Sequence, residues 1–175
     1  MIEVVPYSSL WPSMFAEEAA RIREEFAATA LRVSHVGSTS VPGLDAKPVI
    51  DIQVSVASLG QRDSLDEHMR RLGYTHTNLG AFDAVYPFFK RPATWPSTHH
   101  VHLCAAGSAE ERQHLAFRDY LRSNPEACAQ YIALKRHLAA IHHGTTLESQ
   151  ENYSLAKSEF VSSVLERAFV AGYPR

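Results

Sequence analysis

The sequence is poor in cysteine, in net charge and in long apolar runs, and each shortage excludes a class of protein. Its two cysteines, Cys104 and Cys128, form no CxxC pair, so we expect reduced thiols in a cytoplasmic protein rather than a disulfide framework. A net charge of −2 gives no overall attraction to nucleic acid or to an anionic membrane. No apolar run approaches the roughly 18–20 residues of a membrane span. We therefore expect neither a membrane nor a nucleic acid as a partner.

The rest of the composition is typical of a globular domain, with 45% hydrophobic and 21% charged residues in a chain of 175. This length predicts one domain over residues 1–175, and the N-terminal residues lack the pattern of a signal peptide. The order of periodic segments is one helix, then strands mixed with one helix, then three helices. It predicts an α+β fold, a small mixed β-sheet flanked by helices, with a helical C-terminal third.

Hydrophobic spacing also predicts where the elements begin and end. Ser108 and Thr145 each precede a glutamate by three residues, a pattern typical of a capping box at a helix start. The predicted strands are 31–36, 48–56, 86–90 and 99–104, and the predicted helices are 11–28, 62–72, 109–122, 124–142 and 145–171.

A turn rich in small hydroxyl residues follows the first strand. Its residues Gly37, Ser38, Thr39 and Ser40 expose backbone N–H groups and hydroxyls that can hold an anion such as phosphate. Lys47 would add a nearby cation. The alternative is a tight turn that caps a short helix, because serine and threonine are common there.

Asp51 lies in the strand that follows this turn, on the polar side of a strand whose other side is apolar. Ile50 and Ile52 alternate with Asp51 and Gln53, so the carboxylate of Asp51 and the amide of Gln53 share one face of the strand. A lone carboxylate in such a strand is costly unless something pairs with it. The position of Asp51 therefore predicts that it contacts a ligand or substrate. The alternative is that Asp51 is a buried acid that accepts hydrogen bonds from the turn.

Two histidines alternate on the strand 99–104. His100 and His102 face the same way, and His35 ends the first strand beside the turn. Together with Asp51 these three histidines form a candidate set of metal ligands, and Asp51, His100 and His102 are also the candidate catalytic groups. Nitrogen ligands beside an aspartate favour Zn²⁺ or Mn²⁺ over Mg²⁺. The alternative is that these histidines hydrogen-bond a substrate or each other.

Further candidates for contacts with a substrate are two cations and one tyrosine. Tyr153 and Lys157 are four residues apart on one predicted helical face. Lys157 or Arg91 would balance charge that develops on a transferred phosphate.

Four blocks of the chain resemble the GrpB-like family. They are HVGSTSVPGLDAKPVIDI at 35–52, THHVHL at 98–103, LAFRDYLRSNPEA with YIALKRHLA between 115 and 139, and NYSLAKSEFV at 152–161. The resemblance implies a branch of the nucleotidyltransferase superfamily, some of whose members are fused to a dephospho-CoA kinase.

That superfamily is marked by a Gly-Ser turn, a spacer and a strand with two acidic residues. Here Gly37-Ser38 precedes Asp51 by a spacer of twelve residues, but Gln53 stands where the second acid belongs. Two carboxylates on one strand face normally hold Mg²⁺ against a triphosphate, and a neutral amide is a poor substitute. The resemblance therefore implies the fold and a nucleotide-type ligand more firmly than it implies transfer.

Three functions remain open at this point. The first is a nucleotidyltransferase-like transferase that binds a small phosphorylated or nucleotide ligand, with a divalent metal (Mg²⁺, Mn²⁺ or Zn²⁺) as its cofactor. The second is a non-catalytic binding module that lost its second carboxylate at Gln53. The third is a metal-dependent hydrolase built on the histidines and Asp51. The sequence fixes neither the substrate nor the oligomeric state.

Overall fold

A five-stranded mixed β-sheet forms the centre of the computed structural model, which describes residues 3–94, 96–142 and 147–174. The strands are β1 (Ala30–Val36), β2 (Ile50–Val56), β3 (Thr75–Thr77), β4 (Phe88–Arg91) and β5 (His99–Ala105). Their order is β1-β2-β5-β4-β3, and β2 and β5 are parallel while the other neighbours are antiparallel. The four predicted strands and the α+β class are confirmed. The strand β3 was not predicted, because three residues carry too little alternation to be recognised.

The described helices follow the predicted order. They are α1 (Trp11–Phe26), α2 (Arg62–Arg71), α3 (Ala109–Ser123), α4 (Pro125–Ile141), α5 (Leu147–Leu155) and α6 (Ser158–Val170). The side chain of Ser108 accepts a hydrogen bond of 3.2 Å from the backbone N–H of Glu111, which confirms Ser108 as the N-cap residue. The box is not reciprocal, because Glu111 Oε2 accepts from the backbone N–H of Gly107 at 2.7 Å and not from that of Ser108. The second predicted capping box begins at Thr145, which lies outside the described residues.

The prediction of one continuous helix over 145–171 is wrong. The chain forms α5 and α6 instead, with Ala156 and Lys157 in a turn between them. The backbone N–H of Lys157 donates to the carbonyl of Ser154 at 3.3 Å, and Lys157 is the N-cap residue of α6. The break places Lys157 at a corner, and not on an unbroken helical face with Tyr153.

The two faces of the sheet differ in chemistry. On one face, Ile50, Ile52, Val54 and Val56 of β2 join Val101 and Leu103 of β5 in the main core, packed with residues of α1 and α2. Burial of such a side chain contributes roughly 1.5–3 kcal/mol. The parallel register pairs Asp51 with His100, Gln53 with His102 and Ser55 with Cys104 on the other face. We call those six residues the polar face.

A second, smaller core holds the C-terminal helices against the loop that follows β1. Val41 and Leu44 of this loop pack with Leu121, Tyr131 and Val164 of α3, α4 and α6. Arg122 donates from Nε and Nη2 to the carbonyl of Ser40 at 3.0 and 2.7 Å. The C-terminal helices therefore close over the Gly-Ser turn. None of the helices in the described ranges is both long enough and apolar enough to cross a membrane.

Candidate functional site

The Gly-Ser turn and Asp51 form one unit in the structure. Gly37 has a φ of +67°, and a Cβ added there would lie 2.3 Å from Oδ2 of Asp51. Real Cβ atoms do not approach an oxygen so closely, and a side chain at this φ is strained as well. Only glycine thus lets the turn pass directly over the carboxylate.

The hydroxyls of the turn have different roles. Ser40 Oγ donates to the carbonyl of Gly37 at 2.6 Å, and Thr39 Oγ1 donates to the carbonyl of Val49 at 3.0 Å. These two buried hydroxyls hold the loop in place, as the alternative interpretation of the turn expects. Ser38 differs, because it lines two cavities that meet at Asp51. Of the three hydroxyl residues, Ser38 remains the best candidate for a ligand contact.

His35 lies on the opposite face of the sheet from Asp51. In the antiparallel ladder it pairs with Ile52, a core residue, and its ring stacks on Phe15 of α1 with centroids 4.7 Å apart. The Thr39 hydroxyl proton is committed to Val49, so His35 Nε2 donates to Thr39 Oγ1 at 3.0 Å. Burial lowers the pKa of His35 to about 4. His35 therefore supports the turn as a neutral ring and does not join the predicted ligand set.

Asp51 and His100 do come together, as the parallel register requires. Asp51 Oδ1 lies 3.2 Å from His100 Nδ1. Burial alone would raise the pKa of Asp51, but the hydrogen bond from His100 and the nearby imidazoles outweigh it. The resulting pKa of Asp51 is below its usual value, so the group is a carboxylate at neutral pH.

His102 is enclosed between aromatic rings. Its centroid lies 4.3 Å from that of Tyr86 and 4.8 Å from that of Phe88. Burial lowers its pKa to about 3, and its Nδ1 has no hydrogen-bond partner among the residues placed in the structure. His102 lines neither cavity at Asp51, so the geometry does not support its predicted catalytic role.

Gln53 is sealed in the same region. It has no exposed surface, its Oε1 accepts from the Tyr86 hydroxyl at 2.8 Å, and its Nε2 donates to the Glu111 carbonyl at 3.4 Å. Both ends of the amide are therefore used inside the protein, and the position of the missing second acid is closed to a ligand.

The predicted four-ligand metal set is not assembled. Across residues 3–94, 96–142 and 147–174, no three side chains from His, Cys, Asp and Glu converge in a way that could hold a metal ion. His35 lies across the sheet and His102 within the aromatic stack, which leaves Asp51 and His100. These two do not make the ligand shell on which the hydrolase hypothesis depends.

The main feature at Asp51 is a cavity of about 220 Å³ lined by three lysines. They are Lys47, Lys135 and Lys157, and the whole chain contains four lysines. Asp51 is the one carboxylate that lines this cavity in the described part of the chain. The lysine side chains of the lining therefore outnumber its acidic side chains. The cavity therefore carries an excess of positive charge; its lining residues are Ser38, Thr39, Ala46, Lys47, Val49, Asp51, His100, Lys135, Tyr153, Ser154 and Lys157.

Aromatic rings and one carbonyl position these lysines. The Nζ atoms of Lys47 and Lys157 each lie 4.3 Å from the ring centre of Tyr153, and Nζ of Lys135 lies 4.6 Å from that of Tyr131. Lys135 also donates to the backbone carbonyl of Asp45. Tyr153, predicted as a substrate contact, is 1% exposed and lies between two of the lysines as their common support.

Burial makes the charged form of each lysine costly. It lowers the pKa of Lys47 to about 8, that of Lys135 to about 7 and that of Lys157 to about 8. A bound anion would oppose this effect and return the three pKa values toward their usual range. The cavity is therefore suited chemically to a ligand with several negative charges.

Arg91 does not belong to this site. Its guanidinium donates to Glu18 at 2.8 Å and to the carbonyl of Leu72 at 3.3 Å. It lies over the ring of Tyr74, 5.0 Å from the centroid, in the main core. The ion pair of Arg91 to α1 lies on the apolar side of the sheet, so the geometry does not support the predicted contact of Arg91 with substrate.

A second cavity, of about 290 Å³, adjoins the first. The two share Ser38, Asp51 and Lys157, so the carboxylate lies at their junction. The second cavity is mostly apolar and aromatic; its other lining residues are Gly37, Gln113, His114, Phe117, Tyr131, Val161 and Leu165. A ligand that crosses the junction would meet cations on one side and aromatic rings on the other.

Lys135 was missed as a site residue, although the sequence contains a signal for it. Ala127, Tyr131, Lys135 and Leu138 are the buried positions of α4, and their spacing of three and four residues makes one stripe. A lysine in an otherwise apolar stripe must reach a polar cavity or an anion, since burial of an unpaired charge is costly. The sequence did predict Lys47, Lys157 and Ser38, which line the same cavity, as phosphate or substrate contacts.

The sheet order, the Gly-Ser turn and the acid on β2 define a nucleotidyltransferase-like fold. The solved structure of Cid1 poly(U) polymerase H336N bound to MgATP covers 81% of this chain, with a TM-score of 0.52 and 12% sequence identity, over 46% of its own length. A likeness at this identity concerns the fold alone. It confirms the fold class predicted from the sequence.

The chain belongs to the GrpB family, whose model, described as "GrpB protein", matches residues 1–167. The crystal structure of conserved protein GrpB from Enterococcus faecalis is 34% identical, covers 95% of this chain and 96% of its own, and has a TM-score of 0.81. UPF0157 protein YqkA of Bacillus subtilis is 34% identical over 95% of this chain. A dephospho-CoA kinase of Mycolicibacterium paratuberculosis is 32% identical over 77% of it. The chain spans 47% of the first of these relatives and 39% of the second.

Proposed function

We propose that this protein binds a phosphorylated ligand of the nucleotide type. Its phosphates occupy the lysine cavity, and its organic part occupies the apolar cavity on the other side of Asp51. The observation that carries this proposal is that three of the chain's four lysines line one cavity, in which Asp51 is the one carboxylate among the lining residues that the structure describes.

The position of each group supports this arrangement. Ser38 lines both cavities and can donate to a phosphate at their junction, and Lys157 also lines both. Phe117 and Tyr131 meet edge to face with centroids 5.6 Å apart and provide aromatic surface for a base. The names of two comparison proteins agree with such a ligand, since one is a dephospho-CoA kinase and the other was solved with MgATP.

Binding is a better supported function than two-metal transfer. Transfer through two cations needs two carboxylates on one open strand face, and here Gln53 is sealed by Tyr86 and Glu111. A divalent cation brought in with the phosphates would find one carboxylate, Asp51, at the junction. We therefore place the protein first as a binding module, and transfer with a single cation held by Asp51 is the second candidate.

Isothermal titration tests the proposal directly. The wild-type chain is titrated with tripolyphosphate, ATP, CTP, CoA and dephospho-CoA, each with and without Mg²⁺ or Mn²⁺. We expect a nucleotide to bind more tightly than tripolyphosphate, because it also fills the apolar cavity. Heat with none of the five ligands under any condition would remove the proposal.

A pair of variants separates the two cavities. Phe117→Ala should weaken a bound nucleotide by about tenfold, roughly 1.4 kcal/mol, and leave tripolyphosphate affinity unchanged, because Phe117 lines only the apolar cavity. Product analysis of the same mixtures by chromatography decides between the binding module and single-cation transfer. Turnover that is lost in Asp51→Asn would favour the enzyme.

A further inference from the structure

His100 has a second partner on the side away from Asp51. Its Nδ1 lies 3.2 Å from Asp51 Oδ1, and its Nε2 lies 2.7 Å from the hydroxyl oxygen of Ser97. A carboxylate has no proton to give, so His100 Nδ1 donates to Asp51. His100 Nε2 then accepts, and Ser97 Oγ–H must donate to it. The order carboxylate, imidazole, hydroxyl is that of a nucleophile activated by a general base.

The surrounding structure holds this chain of contacts in place. Thr98, next to Ser97, receives a ladder hydrogen bond of 2.9 Å from Ile50 N–H and donates one of 2.9 Å to the Arg91 carbonyl. Phe88 packs edge-on against the His100 ring, with centroids 4.9 Å apart and planes at 82°. Thr98 and Phe88, which adjoin Ser97 and His100, are therefore held in place by the sheet and by packing.

Ser97 also lines a further cavity. The residue is 5% exposed, but it lines a space of about 310 Å³ that shares Lys47 and Val49 with the lysine cavity. The charged residues that line this space are Lys47 and Glu3. The other lining residues are Pro48, Val49, Pro96 and Thr98. A small carboxylic ester fits such a mixed and largely apolar surface.

We propose that Asp51, His100 and Ser97 act as carboxylate, general base and nucleophile, and that they give this protein an esterase activity toward small carboxylic esters. Ser97 Oγ attacks the carbonyl carbon, a C–O bond forms, and the hydroxyl proton passes to His100 Nε2. The ester C–O bond then breaks, and the alcohol leaves with that proton. Water hydrolyses the acyl-serine by the same route, releases the acid and restores Ser97. Asp51 holds the imidazole in the required tautomer and stabilises its cationic form.

A purely structural contact would place the same atoms together without reactivity, so the test measures reactivity at one atom. The full chain is treated with a fluorophosphonate probe, which forms a P–O bond with an activated serine and releases fluoride. Peptide mass spectrometry locates the label, and a small chromogenic acetate ester reports turnover. Ser162→Ala, on the exposed surface of α6, is the matched control.

We expect one label per chain, at Ser97. Ser97→Ala should abolish it, and Asp51→Asn and His100→Gln should each slow labelling by about 100-fold or more. Circular dichroism and thermal melting show whether each variant folds. A folded wild-type chain that is unlabelled at Ser97 would overturn the proposal, and so would labelling at an unchanged rate in both the Asp51 and the His100 variants.

Asp51 and His100 also line the lysine cavity, but the two proposals have separate readouts. Ser97 does not line the lysine cavity, and the probe carries no polyphosphate. Titration of wild-type protein with ATP reports on the nucleotide site, and the probe reports on Ser97. Either result can fail while the other holds.

Discussion

The polar face of β2 and β5 has an open end and a sealed end, although one pair of parallel strands builds both. At the open end, Asp51 lies where two cavities meet, and its neighbour His100 lines the lysine cavity. Two residues further along, Gln53 and His102 are enclosed by Tyr86, with every end of the amide bonded. The comparison shows that alternation determines which face of a strand a residue occupies, whereas the packing of loops and helices on that face determines whether a polar residue borders a cavity.

The difference also explains why the missing second acid is tolerated. A carboxylate at position 53 would lie buried among Tyr86, His102 and a backbone carbonyl, where a charge is costly. The amide can satisfy a donor and an acceptor at once, and a carboxylate cannot. The sealed end therefore serves stability, and the open end is the part of the polar face that borders cavities. The predictions that follow test this division, from the largest effect to the smallest.

Gly37→Ala should cause the largest damage at the open end. The added methyl group meets Asp51 Oδ2 and must displace the carboxylate. We expect loss of stability by at least about 2 kcal/mol and loss of measurable nucleotide binding. Gly43→Ala is the control, because Gly43 also has a positive φ, +80°, but nothing within 4 Å of the added Cβ. Equal effects of the two substitutions on nucleotide affinity would show that Asp51 is not the cause.

Gln53→Glu should damage the sealed end without opening it. The new carboxylate loses the donor to Glu111 and carries a buried charge, which we expect to cost at least about 2 kcal/mol in denaturant unfolding at pH 7. Burial raises the pKa of such an acid, so its stability loss should shrink as the pH falls. Exposed Gln61→Glu is the control. A gain in Mn²⁺ affinity by Gln53→Glu would contradict the assignment of position 53 to the closed interior.

Lys157→Met should separate affinity from stability. The substitution removes a cation from the junction of both cavities, so nucleotide and tripolyphosphate affinity should each fall by about tenfold or more, roughly 1.4 kcal/mol. The unfolding free energy should stay equal or rise, because a lysine with a lowered pKa is costly to bury. Lys90→Met, at the one lysine outside the cavity, should change neither affinity. Loss of affinity in both variants would indicate a general charge effect.

The two serines of the turn should give the smallest and most selective effects. Ser40→Ala loses the hydroxyl bond to Gly37 and should cost about 1 kcal/mol of stability with little change in affinity. Ser38→Ala should weaken tripolyphosphate a few-fold, because Ser38 lines both cavities, and it should also lower stability somewhat, because it removes the side-chain hydrogen bond between Ser38 and Tyr131. Chemical denaturation and calorimetry on the same samples measure the two effects. Reversal of this pattern would assign ligand contact to Ser40.

Local patterns were sufficient to predict much of the fold, but they do not determine depth. Alternation on β2 and β5 correctly placed Asp51, His100 and His102 on one face, since a strand has a period of two. It did not show that His35 lies on the other face, because that depends on the antiparallel register with Ile52. The ion pair of Arg91 with Glu18 joins residues far apart in the sequence, so no local pattern around Arg91 predicts it.

The break between α5 and α6 shows a similar limit. The apolar stripe suggested one helix, but the turn at Ala156 and Lys157 contains neither glycine nor proline, the usual local signals for a helix end. Tertiary packing likewise brings Lys47, Lys135 and Lys157 from three separate segments into one cavity.

The central claim, that buried lysines bind a polyphosphate, is tested most directly by counting protons. At pH 8, burial holds the pKa values of Lys47, Lys135 and Lys157 at or below the pH, whereas the terminal phosphate of ATP titrates near about 6. Binding of ATP raises the lysine pKa values, so the complex should take up between about one and two protons. Calorimetry in buffers of different ionisation enthalpy measures this number, and Lys135→Met should reduce it. Binding without proton uptake, or uptake that is unchanged in that variant, would contradict the account.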